Sequence, residues 1–194
     1  MQRTSRIVGL ASGLMIGLSA VVCAAEEDAF PKEKQTTLGL YLTSSEAYET
    51  WKADPAGVKV LDVRTPEEYL FVGHTEMAVN IPFALQSLEW DAEKKHFPMK
   101  PNADFLAEVQ KWAQPGDRIF VMCRSGGRSA RAVNRLAEAG FTNVYNITDG
   151  MEGDLVEDPA SPHHGKRMVN GWKNAGLPWT YTVDPAQMRI PAGK

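Results

Sequence analysis

Cysteine is nearly absent. The 194-residue chain has two, Cys23 and Cys123. Cys23 lies in an apolar amino-terminal stretch whose removal would leave Cys123 alone, and one thiol cannot form an intramolecular disulfide. A disulfide scaffold is thereby excluded, and Cys123 is either a small buried hydrophobe or a reactive group. Runs rich in Lys and Arg are also lacking, and the net charge is −3. That balance argues against nucleic acid as a partner. The interior has neither repeats nor low-complexity segments. What is present is ordinary for a globular chain: 43% hydrophobic residues, 23% charged, and five Trp, five Tyr and seven Phe for a core. This length suits one self-supporting domain.

The first 25 residues differ from the rest. Arg3 and Arg6 precede an uncharged, largely apolar run from Ile7 to Val22, followed by Ala24 and Ala25 and then by Glu26, Glu27 and Asp28. This is the pattern of a secretory signal peptide over 1–25. The apolar run is shorter than the roughly 20 residues a membrane-spanning helix needs. A lipoprotein signal would acylate Cys23, but Val21 and Val22 stand where small residues are wanted. No Arg-Arg pair suggests the twin-arginine route. The expectation is an exported protein, periplasmic in a bacterium, with no membrane attachment once the segment is cleaved and a net charge of −5 after loss of Arg3 and Arg6.

Residues 26–42 read as a polar, weakly ordered lead-in. Thr43 and Glu46, and again Thr65 and Glu68, have capping-box spacing, with Pro66 at a first helical position. Helices should therefore start near 44 and 66, the second ending at Gly73. Apolar runs predict strands over 58–63, 78–81, 119–122 and 144–147. Asn102 should cap a helix to Ala113, and another should run from about Arg128 to Ala139 and stop at Gly140. A last helix is expected near Val169–Ala175. Strands alternating with helices imply an α/β fold: a parallel sheet of about five strands with helices on both faces. Functional loops then lie at the carboxyl ends of the strands.

One such loop carries the chemistry. Cys123 ends the strand 119–122 and is followed by Arg124, Ser125, Gly126, Gly127, Arg128 and Ser129. The glycines let backbone amides converge, the following helix adds its positive end, and the arginines add charge. Such a cradle favours the nucleophilic, anionic form of sulfur and would hold an anion placed on it. The alternative is a buried structural cysteine before an ordinary turn.

The loop resembles the active-site loop of the rhodanese family, the single-domain sulfurtransferases. Further matches are Leu61-Asp62-Val63-Arg64 with Glu67-Glu68-Tyr69, Gly73-His74 and Ala78-Val79-Asn80-Ile81-Pro82; Gly140-Phe141 through Val144-Tyr145 to Asp149-Gly150; and Gly171-Trp172 to Gly176-Leu177-Pro178. The resemblance covers about 43–180 and leaves 181–194 as a tail. It implies a rhodanese-like sheet and a Cys123 persulfide, loaded from a small sulfur donor such as thiosulfate and discharged to a thiol or cyanide acceptor. It implies no metal or organic cofactor. By the family pattern, Asp62 and Arg64 brace the loop from the neighbouring strand, while Arg124 and Arg128 bind donor.

Related loops in phosphatases and arsenate reductases use Cys-x5-Arg spacing, whereas Cys123 to Arg128 is Cys-x4-Arg. The shorter loop suits a single sulfur better than a tetrahedral oxyanion. A binding or sulfur-carrier module on the same fold stays open. Two segments exceed a minimal domain, 83–101 and 154–170. Both are expected at the rim of the Cys123 loop, where they would narrow access or dock a partner protein. His163 and His164 lack ligands at zinc spacing and read as a solvated loop. His74 reads as a hydrogen-bonded structural residue, Trp172 and Trp179 as core, and Glu67 and Glu68 as helix-start charges.

Overall fold

The computed structural model describes residues 31–189; the signal-peptide reading of 1–25 falls outside them. The two threonine caps form as the spacing predicts. Thr43 opens α1 (Ser44–Ala53) and Thr65 opens α2 (Pro66–Val72), each in a reciprocal box with Glu46 or Glu68. Gly73 ends α2 at φ 91°. A side chain there would also strike the Trp179 ring, 2.6 Å from the position of a Cβ.

The strands are β1 (Tyr41–Leu42), β2 (Val58–Asp62), β3 (Ala78–Asn80), β4 (Ala84–Gln86), β5 (Met99–Pro101), β6 (Arg118–Met122) and β7 (Val144–Ile147). Five form a parallel sheet in the order β1-β7-β6-β2-β3, and β4 and β5 pair separately as an antiparallel ribbon. Two further helices complete the fold, α3 (Phe105–Trp112) and α4 (Gly127–Glu138). Because successive strand residues face opposite sides, the apolar run of β6 feeds two cores. Ile119 and Val121 pack with Val109, Val133 and Leu136 of α3 and α4. Phe120 and Met122 pack with Ala47 of α1, Met151 and Trp172. Both faces of the sheet are therefore covered.

Two segments and one side chain depart from expectation. The lead-in is ordered from 31 onward: a 3-10 turn at Lys32–Lys34 precedes β1, which extends the sheet by pairing Tyr41 and Leu42 with Asn146 and Ile147. The Lys34 ammonium is buried against both carboxylate oxygens of Asp154 at 2.8 Å. Residues 169–175 form turns instead of a helix. Gly171 sits at φ 99°, and the amides of Trp172 and Lys173 donate to the carbonyls of Gly150 and Met151. Trp172 is core as expected, but Trp179 is 36% exposed and lies under the Lys173 ammonium at 3.8 Å from its ring centre.

Candidate active site

Cys123 lies at the carboxyl end of β6, the centre of the sheet, where adjoining crossovers leave a crevice. Gly126 turns the chain into α4 at φ 96°, and a Cβ there would be 2.1 Å from the Thr148 carbonyl oxygen. Gly150 approaches the opposite side just as closely, with the Cys123 carbonyl oxygen 2.5 Å from where a Cβ would stand. The amides of Met151 and Glu152 take the carbonyls of Cys123 and Arg124 at 2.8 and 2.9 Å. Asp149 fixes this support by accepting from Ser44 of α1 and from the Gly171 amide.

With those carbonyls bound elsewhere, the loop turns donors toward the sulfur. The Gly126 amide is 3.2 Å from Cys123 Sγ, and the Ser129 hydroxyl is 3.4 Å away. Cys123 is only 2% exposed, so its sulfur forms the floor of a cleft of about 520 Å3. Lys32 and Glu33 of the lead-in, Met99 of β5, and Arg124, Arg131 and Asn134 line the walls.

The two loop arginines divide in role. Arg124 is exposed at the mouth. Arg128 is buried and makes two hydrogen bonds of 2.6 Å to Glu68. Burial works against its charge, but Glu68 outweighs that and holds the guanidinium above its usual pKa. Burial likewise tends to raise Glu68, and the bonds from Arg128 reverse it, holding the carboxyl below its ordinary value. Arg128 thus lines the cleft with its guanidinium paired to Glu68 of α2. Glu68, read from sequence as a helix-start charge, is that and also the clamp on the loop. Its second role depends on a partner 60 residues away.

Asp62 and Arg64 form a fully buried ion pair, closest approach 2.6 Å. Arg64 also donates to the Gly73 carbonyl, and Asn80 donates to the carbonyls of both Asp62 and Arg64. These bonds join β2 to β3 and to the end of α2. β2 also lies directly beside the strand that ends in Cys123, with Asp62 paired to Met122 and the Val63 amide donating to the Met122 carbonyl at 2.9 Å. Burial opposes the Arg64 charge, and Asp62 more than offsets it.

Of the two long segments, 83–101 folds as the β4–β5 ribbon and reaches the cleft through Met99. The other, 154–170, lies beside it. Its Asp154 holds Lys34, and its Arg167 donates to the Gly153 carbonyl at 2.7 Å. Burial, and then the like charge of Arg124, hold Arg167 below the usual arginine value. His163 and His164 are exposed. The His74 ring is buried, stacked on Tyr69, with its nitrogens 3.1 and 3.2 Å from the carbonyls of Tyr69 and Thr182. The lead-in wall was not foreseen, since nothing local marks Lys32 or Glu33 as cleft residues.

A crevice cysteine cradled between a parallel strand and a helix start defines a thiol site of the rhodanese class. The rhodanese-like domain family matches residues 44–155, and the chain belongs to that family. It is 41% identical over 95 residues to thiosulfate sulfurtransferase 16, chloroplastic, of Arabidopsis thaliana, covering 49% of this chain and 72% of that protein. It is 38% identical over 95 residues to the senescence-associated protein DIN1 of Raphanus sativus; the match covers 49% of this chain but only 47% of that protein. Among solved structures, Rv0390 from M. tuberculosis superposes with a TM-score of 0.56 at 31% identity, covering 73% of this chain and 96% of that one.

Proposed function

We propose that the protein is an exported sulfurtransferase working through a persulfide on Cys123. The observation that carries this is the sulfur at the cleft floor, 3.2 Å from the Gly126 amide and 3.4 Å from the Ser129 hydroxyl. Those donors stabilise negative charge on the attacking sulfur and later on the departing one. Cys123 Sγ attacks the outer sulfur of a donor such as thiosulfate. The new S–S bond forms as the old one breaks, and sulfite leaves with the electron pair. A thiol or cyanide then attacks the outer sulfur, and the Cys123 thiolate departs, ready for another cycle. Arg124 at the mouth attracts the anionic donor. The steps need no cofactor and no external oxidant.

The clamp on Arg128 weighs against phosphatase or arsenate chemistry, which would need that guanidinium free to hold an oxyanion. The intact thiol and its donors weigh against a purely binding module. Export rests on the pattern of residues 1–25; among the described residues no helix is long and apolar enough to cross a membrane. The test is intact-mass spectrometry of the protein before and after thiosulfate, then after cyanide. The wild type gains one sulfur that cyanide removes, and Cys123→Ser gains none. Failure to load from thiosulfate or any other sulfane donor would refute the reading.

A further inference from the structure

The cleft is larger than its sulfur chemistry needs. A volume of about 520 Å3 lies in the range of pockets that bury a small organic ligand, whereas a sulfane donor is much smaller. The surplus space has a definite charge. Lys32, Arg124 and Arg131 line it with a single acidic residue, Glu33, because the fourth cation, Arg128, is already neutralised by Glu68. Among the described residues Lys32, Glu33 and Arg131 have no hydrogen-bonding or ion-pairing side-chain partner, so they are available to a ligand.

This wall is built, not incidental. The Lys34 ammonium beside it is buried on Asp154, and the Lys34 carbonyl accepts from Asn146 on β7. Asn134, one helical turn from Arg131, accepts from the Thr37 amide. The Glu33 carbonyl would stand 3.5 Å from a Cβ on Gly127, so the turn rests directly on the start of α4. Lys32 and Glu33 also lie outside residues 44–155 that the family match covers.

We infer that Lys32 and Arg131 form an anion-binding subsite for the acceptor. The subsite takes the carboxylates of a small peptide thiol and leaves its sulfur to reach the Cys123 persulfide, with Glu33 placed to receive an ammonium group. The inference rests on the sulfurtransferase reading and adds an acceptor class to it: a thiol with net negative charge rather than a neutral one.

The test uses Lys32→Ala, Arg131→Ala and the double variant. Persulfide-loaded protein is mixed with glutathione, which carries two carboxylates and one ammonium, or with neutral 2-mercaptoethanol, and sulfur loss is followed by intact mass. Exposed charge pairs are worth little singly, so each single variant should slow discharge to glutathione about threefold and the double variant about tenfold. Discharge to 2-mercaptoethanol should be unchanged, and the glutathione preference should fade with added salt. Equal rates in wild type and double variant, or equal losses with both thiols, would overturn the subsite. A second readout does not depend on persulfide chemistry: protection of Cys123 from iodoacetamide by unreactive S-methylglutathione. It should need about tenfold more ligand in the double variant. Protection identical to wild type would reject the subsite even if loading failed, whereas failed loading with altered protection would reject only the sulfurtransferase reading.

Discussion

Arg128 and Glu68 hold one another through two hydrogen bonds of 2.6 Å, joining the first turn of α4 to the first turn of α2. Glu68 also closes the capping box with Thr65, so one carboxylate caps the start of one helix and pins the loop that begins the other. The pair is largely buried, with 8% and 17% of the side chains exposed.

Removing one partner of such a pair strands a charge, which costs far more than the intact pair contributes. Glu68→Gln should therefore lower stability by about 2–4 kcal/mol, the lower figure reflecting Glu68's remaining solvent contact. It should also slow persulfide loading, because the loop loses its clamp. Urea denaturation and loading kinetics measure the two effects. Arg128→Lys should keep the charge but lose the two-bond fork, and be impaired as well.

The same pair sets an acid limit. The Glu68 carboxyl titrates below its ordinary 4.5 in the folded protein. A carboxyl lowered by folding contributes stability that is present above its unfolded value and is lost as pH falls through the folded one. Melting temperature should thus drop on acidification below about pH 4.5, with the clamp a visible part of the drop. In Glu68→Gln that part disappears, and a profile identical to wild type would show that the clamp is not the titrating element.

Gly126 should tolerate no side chain. Its φ of 96° and the Thr148 carbonyl 2.1 Å from a Cβ mean Gly126→Ala must move the loop or break its contact with Thr148, just past β7. We expect loss of loading and a fall in melting temperature. Gly116→Ala, with nothing within 4 Å of the new Cβ, is the control and should change neither.

Ser129 separates charge stabilisation from folding. Its hydroxyl oxygen lies 3.4 Å from the sulfur and 2.9 Å from the Gly126 carbonyl oxygen, so its one proton can turn to either acceptor. Ser129→Ala should cost about 1 kcal/mol of stability and slow persulfide formation about tenfold, less than loss of a short oxyanion donor would. Single-turnover loading at saturating thiosulfate measures the rate.

Lys34→Met should release the lead-in. The ammonium's place on Asp154 is taken by an uncharged chain, so Asp154 loses its cation, keeping only the bond from Asn170, and the turn bearing Lys32 and Glu33 loosens. Cleavage by a protease in residues 31–40 should quicken while the sheet core stays resistant. Equal cleavage rates would show that β1 and the bonds to Asn146 and Asn134 hold the segment without the ion pair.

Local physics determined much of this protein, and local physics is what a sequence carries. The boxes at Thr43 and Thr65 join residues three apart, so their helices were legible. The apolar runs of β2, β6 and β7 marked buried parallel strands, and the glycines and arginines after Cys123 marked a thiol cradle. Tertiary structure decided what depended on distant partners. Two residues, Tyr41 and Leu42, become a strand only because β7 lies beside them. The stretch 169–175 has a helical sequence, yet Gly150 and Met151 take the amides a helix would use. Arg128 looks like a free cation until Glu68, distant in sequence, folds against it. Lys32 becomes a cleft wall only when Lys34 finds Asp154, 120 positions on, because an ion pair forms where the fold brings charges together, whatever their separation along the chain.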